Sequence, residues 1–194
     1  MGRTQSFDTD QVVRAARSVF WAQGFEAAAL PDLERATGLS RSSIYHAFGS
    51  KRGLFGAAVN SYLVEVVRPR LAPLMADPVR PDALEDYLTG LRAALLRADT
   101  LPASSGCLLV NTAGAPIGQD DEVARIVADY RAELRAGLGR GVRARLPQLS
   151  GAEQDTLANA CTGLVVAAFA LVRVDPAQAA GALDTARALI AARE

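Results

Sequence analysis

Lysine and histidine each occur once in this 194-residue chain, as Lys51 and His46, and cysteine occurs twice, as Cys107 and Cys161. Two thiols in apolar stretches, with neither a CxxC pair nor Cys/His spacing, exclude a disulfide scaffold and a zinc site and fit a reducing compartment. A single imidazole, without a Gly-rich phosphate loop, GxSxG, HExxH or paired-carboxylate pattern, leaves no common enzyme signature. No catalytic residue, metal or cofactor is therefore expected. Net charge is absent as well: 21 basic residues balance 21 acidic ones, so the chain as a whole is not a polycation that coats nucleic acid or membrane. Long apolar runs are missing. The longest, residues 163–172, covers ten positions against the roughly 20 of a bilayer span, which makes it a core or interface helix. The polar opening MGRTQSFDTDQ lacks the apolar stretch of a signal peptide, so a cytoplasmic protein with no membrane partner is expected.

What remains is the balance of a folded protein, 50% hydrophobic and 22% charged. Charge is unevenly placed: nine basic residues face six acidic ones up to Arg70, and twelve face fifteen beyond it. The N-terminal third is thus the basic end. No segment alternates with period two and no repeat occurs, so the expected fold is all-α with about nine helices. The apolar positions Val12, Val13, Ala16, Val19 and Phe20 give a first helix over about 10–23, with an Asp8, Thr9 or Asp10 cap and Gly24 as its stop. Pro31 and Gly38 bracket a second, Ser40 and Gly49 a third over 41–48, and Ser50 caps a fourth over 51–68. Pro69, Pro73, Pro78 and Pro81 then predict a kink followed by a loop. Further helices are expected at about 81–98, 107–113, 120–146, 151–172 and 176–193, three of them opened by acidic or capping residues: Asp120-Asp121-Glu122, Ser150 with Glu153, and Asp175-Pro176.

The two short helices joined by Gly38-Leu39-Ser40 form a helix-turn-helix. With Ile44 and Phe48 turned inward, Arg41, Ser42, Ser43, Tyr45 and His46 remain outside, a donor-rich set suited to bases and phosphates. The wording around them, FWAQGFEAAALPDLERATGLSRSSIYHAFGSKRGLFGAAV within residues 13–63, resembles the DNA-binding domain of the TetR family of bacterial transcription regulators. The resemblance runs through Phe20, Gly24 and Phe25, then Asp32-Leu33, Ala36-x-Gly38-Leu39-Ser40, and Tyr45-x-x-Phe48-Gly49-Ser50-Lys51-x-x-Leu54. It implies a DNA-binding unit at residues 1–55, a helical ligand-binding and dimerisation unit at 56–194, and double-stranded DNA with a pseudo-palindromic operator as partner. Arg41, in the first turn of the recognition helix, is the expected base reader. Tyr45 matches the family tyrosine that reaches the backbone, and Lys51 adds charge to a helix start aimed at a phosphate. The sequence departs from the family at Ala28-Ala29-Leu30, where many members carry Thr or Ser before the second helix.

Beyond residue 55 the chain is aliphatic, its aromatics there limited to Tyr62, Tyr87, Tyr130 and Phe169. An apolar pocket with a few orienting groups is expected among Tyr62, Tyr87, Cys107, Asn111 and Tyr130, for a small apolar effector. Leu157, Ala160, Cys161, Leu164, Ala168 and Leu171, with Leu183, Ala186 and Ile190, give the last two helices apolar sides for a homodimer or for the monomer's own core. The expected function is that of a homodimeric repressor released from DNA by its effector. The competing reading is a helical small-molecule binder or enzyme without DNA binding, which leaves the wording from Arg41 to Lys51 without a role.

Overall fold

The computed structural model describes residues 8–194; the opening of the chain, including Phe7, lies outside the described residues. Those residues are helical, with no strand among them. Helix α1 (Thr9–Ala27) starts at Asp8, whose carboxylate accepts the amides of Asp10 and Gln11, and is interrupted at Gly24, where φ is 82°. Helices α2 (Leu30–Thr37) and α3 (Arg41–Phe48) are joined through Gly38. At φ 70° Gly38 holds a left-handed conformation that a side chain would resist, which is why the turn can be this short. Leu33 and Ile44 are fully buried, in the same core as Phe20 and Phe55, with Phe25 packed against it.

Helix α4 (Lys51–Tyr62) departs from expectation at its far end. It runs through a π-helical turn (Leu63–Val67) directly into α5 (Arg68–Met75), with Pro69 and Pro73 inside the rod. The predicted loop after Arg68 is therefore displaced to the residues beyond Met75. The wider turn, in which the Arg68 amide bonds five residues back to the Leu63 carbonyl, shifts the register just ahead of Pro69, the residue that has no amide to give.

The rest comprises α6 (Ala83–Leu96), one turn α7 (Leu101–Ser105), α8 (Leu108–Ala113), a 3-10 turn (Pro116–Gln119), α9 (Asp121–Arg145), α10 (Gly151–Leu171) and α11 (Pro176–Ala191). Counting the rod α4–α5 as one and setting aside the single turn α7 leaves, among the described residues, the nine helices expected. Three long helices open as the sequence predicts: Asp120 accepts the Val123 amide, Ser150 and Glu153 form a capping box, and Asp175 accepts the Gln178 amide. By length and composition α10 could cross a membrane, but its Leu157, Cys161, Val165 and Phe169 are packed in the core between α9 and α11.

One hydrophobic core extends across both sides of residue 55. Trp21 joins them: its indole N–H donates to the Gly106 carbonyl at 3.0 Å, and its ring meets Tyr62 edge-on at 4.8 Å between centroids. Gly106 has φ 66°, and a Cβ there would collide with the Phe169 carbonyl, so α10 approaches this backbone as closely as it does only because no side chain intervenes.

Candidate nucleic-acid interface and effector cavity

The start of α3 is built from short-range hydrogen bonds. Ser40 Oγ accepts the Ser43 amide and lies 2.9 and 3.0 Å from the hydroxyls of Ser42 and Ser43. The Arg41 amide donates to Glu34 Oε1 at 2.6 Å, a cap from α2 that the sequence reading did not foresee. These bonds satisfy first-turn amides and fix the angle at which α3 leaves the turn. Ile44 is completely buried, so the opposite face is held outward: Arg41, Ser42 and His46 are exposed, and Ser43 and Tyr45 are half-buried. The Arg41 guanidinium lies 5.4 Å from the centroid of the Tyr45 ring, and among the described residues no carboxylate pairs with it.

Lys51 follows at the start of α4, its ammonium 4.6 Å from the centroid of Phe25. Ser50 caps that helix by accepting the Gly53 amide. A Cβ at Gly53 would strike the Phe48 carbonyl, so α3 and α4 approach as closely as backbones allow. The six residues expected to meet DNA thus lie on α3 and at the first position of α4. Ala29, at the start of α2, offers no side-chain cap, in keeping with the departure noted there.

Residues before and after position 55 are tied together by partners far apart in sequence. Arg52 donates to Asp120 at 2.8 Å and to Glu122 at 3.0 Å, and Glu26 accepts the Ile117 amide at 2.7 Å. The hydrogen bond from Arg52 holds the Asp120 carboxyl below its ordinary range. Asp120 and Glu122 were legible as a helix start, but nothing local signals their grip on Arg52. Arg14 and Arg17 similarly clasp Glu65 in the π-helical turn at 3.0 and 2.9 Å.

Of the five residues expected to hold an effector, Tyr62, Tyr87, Tyr130 and Cys107 converge. The three phenols line one cavity with Val67, Leu134 and Phe169, and the Cys107 thiol donates to the Tyr130 hydroxyl at 3.5 Å. Burial pushes all three phenols above their ordinary range, so they remain neutral donors. The cavity measures about 20 Å³, room for one water and no more. Asn111 stands apart, its amide donating to the Ser105 carbonyl at 2.6 Å. Sequence reasoning missed Arg70 and Phe169 in this lining. No group of three or more His, Cys, Asp or Glu side chains able to hold a metal is found among the described residues.

An exposed recognition helix, stabilised from behind by a capped turn and backed by a larger helical unit, defines the class: a helix-turn-helix DNA-binding regulator. Residues 12–58 match the sequence model of the tetR family of bacterial regulatory proteins. The chain is 32% identical over 142 residues to an uncharacterized HTH-type transcriptional regulator, YezE, of Bacillus subtilis (strain 168), covering 73% of this chain and 72% of that protein. It is 34% identical over 111 residues to the HTH-type transcriptional repressor ComR of Escherichia coli (strain K12); the match covers 57% of this chain and about half, 51%, of ComR. Its fold is similar to that of CifR, a TetR family transcriptional regulator solved as a cysteine mutant with 26-bp operator DNA, with a TM-score of 0.78, 26% identity and complete coverage of both chains. The chain belongs to the tetR family of bacterial regulatory proteins. It is a regulator, not an enzyme.

Proposed function

We propose that the protein is a cytoplasmic, homodimeric repressor that holds a pseudo-palindromic operator through residues 1–55 and leaves it when residues 56–194 take up a small, largely apolar effector. The observation that carries this reading is the outward face of α3, where the Arg41 guanidinium has no carboxylate partner among the described residues while the helix is fixed by Ser40, Glu34 and Ile44. Arg41 reads a base edge; Ser42, Ser43, Tyr45 and His46 contact bases and backbone; Lys51 neutralises a phosphate. ComR, a relative, carries the name of a repressor, and CifR was solved on operator DNA.

The dimer face is narrower than the apolar pattern implied. Leu157, Cys161, Ala168, Leu183, Ala186 and Ile190 are buried in the monomer's own core. On α10, Ala160, Gly163, Leu164, Ala167 and Leu171 remain accessible at helical spacing, and this stripe is the proposed surface for the second copy.

Mobility shift and footprinting on the DNA upstream of the gene test the reading. Two protected half-sites about 34–36 Å apart, or a multiple of that, are expected of a two-fold dimer. Arg41→Ala should lose discrimination between operator and scrambled DNA. Lys51→Ala should weaken both alike and lower the salt slope by about one phosphate. A protein that sediments as a monomer and shows equal affinity for operator and scrambled DNA overturns the proposal.

A further inference from the structure

Most arginines near the second unit's surface grooves are answered by a carboxylate. Arg80 pairs with Asp82 and Asp86, Arg187 with Glu85 and Asp184, and Arg145 with Glu194. Arg70 is different: half-buried on α5, it has no hydrogen-bond or ion-pair partner among the described residues. Two spaces meet at it. On the inner side is the small tyrosine-lined cavity. On the outer side a groove of about 210 Å³ opens between α5 and α6, lined by Pro73, Ala83, Gly90 and Leu91 together with the Arg80–Asp86 ion pair. Arg70 and Tyr87 are the two residues that line both. The Tyr87 hydroxyl, like Arg70, has no hydrogen-bond partner among the described residues.

A guanidinium and a phenol hydroxyl, both without an acceptor among the described residues, line the place where a partly aliphatic groove meets an aromatic cavity. Apolar walls attract a hydrocarbon body, while the donors require an acceptor, and a planar guanidinium matches a carboxylate in shape. The acidic side chain in the groove, Asp86, is already bound to Arg80 at 2.7 Å and does not answer Arg70. We infer that the effector is a monocarboxylate on a small apolar body, its carboxylate held by Arg70 and Tyr87 and its body lying in the groove and opening the tyrosine cavity. The inference rests on the proposed effector-binding role of the second unit and adds the chemistry of the ligand's head.

The test is calorimetry on the full chain with benzoate, hexanoate and octanoate, each beside its own primary amide, so that shape is kept while charge is removed. At least one acid should bind about tenfold more tightly than its amide, the scale of a charge-assisted hydrogen bond at a partly exposed site. Arg70→Gln should abolish that preference and leave the amide's affinity unchanged. Arg70→Lys, which keeps the charge without the planar fork, should retain part of it, and Tyr87→Phe should weaken the acid several-fold. Unchanged thermal unfolding of each variant identifies a local effect. Amides that bind as tightly as acids, or an Arg70→Gln protein that still prefers the acid, overturn the carboxylate assignment while leaving the pocket in place. Failure of every acid and every amide to bind overturns the pocket and the assignment together.

Discussion

Helix α9 carries Gly137, Gly139 and Gly141, and replacing glycines by alanine separates packing from backbone entropy. In an open helix interior, alanine stabilises by about 0.5–1 kcal/mol, because glycine leaves the unfolded chain more freedom. Gly90, on α6, has nothing within 4 Å of the added methyl and should show that gain in full. At Gly137 the methyl would sit 3.5 Å or more from Leu71, Leu74 and Met75, ordinary contact distances, so the gain should survive there too. At Gly141 it would lie 2.8 Å from Leu74 Cδ2 and 2.9 Å from Leu84 Cβ. Leu74 and Leu84 are fully buried, and a Cβ cannot rotate away from its own backbone. Overpacking of this kind costs about 1–3 kcal/mol. Set against the entropic gain, Gly141→Ala should lose up to about 2.5 kcal/mol, a fall in Tm of up to roughly 10 °C at about 2–4 °C per kcal/mol for a chain this size, where Gly90→Ala should gain. Thermal and urea unfolding at one fixed protomer concentration, so that association does not shift the midpoint, measure all three variants. A Gly141→Ala protein as stable as Gly90→Ala would refute the argument that α9 is seated against α5 and α6 by the absence of a side chain.

Three further outcomes are expected. Trp21→Phe keeps a ring against Tyr62 but leaves the Gly106 carbonyl without its donor, so the free energy of unfolding should fall by about 1–3 kcal/mol, read as a lower urea midpoint with an unchanged slope; an unaltered midpoint would show that this link across residue 55 carries no stability. Hydrogen bonds from Arg17 and then Arg14 hold the Glu65 carboxyl below its ordinary range. Its stabilisation is therefore present above the unfolded carboxyl's pKa and lost as pH falls through the lower folded value; the deficit of Glu65→Gln should be present at neutral pH and vanish in acid, and an equal deficit at both would contradict this. Burial pushes the Cys161 thiol up to about 11 and Cys107 is fully enclosed, so both should resist iodoacetamide in the native protein and react once unfolded; rapid native labelling of either would mean that the core opens there.

The sequence by itself settled what depends on neighbours within a turn or two of chain. Serine caps at positions 40, 50 and 150, the turn at Gly38 and the inward placement of Ile44 are local, so the helix-turn-helix and its outward residues could be read directly. Tertiary structure decided the rest. Arg52 meets Asp120 across 68 residues of sequence and Trp21 meets Gly106 across 85, pairings that no spacing rule contains. The prolines at 69 and 73 read as an end to the helix, yet a register shift at the preceding turn and the packing of Leu71 and Leu74 in the core carry the rod through. The apolar stripes on the last two helices showed only that they would be covered. Closure of the monomer core took Leu157, Cys161, Leu183 and Ile190, because each helix has one side to bury before any surface is left for a partner.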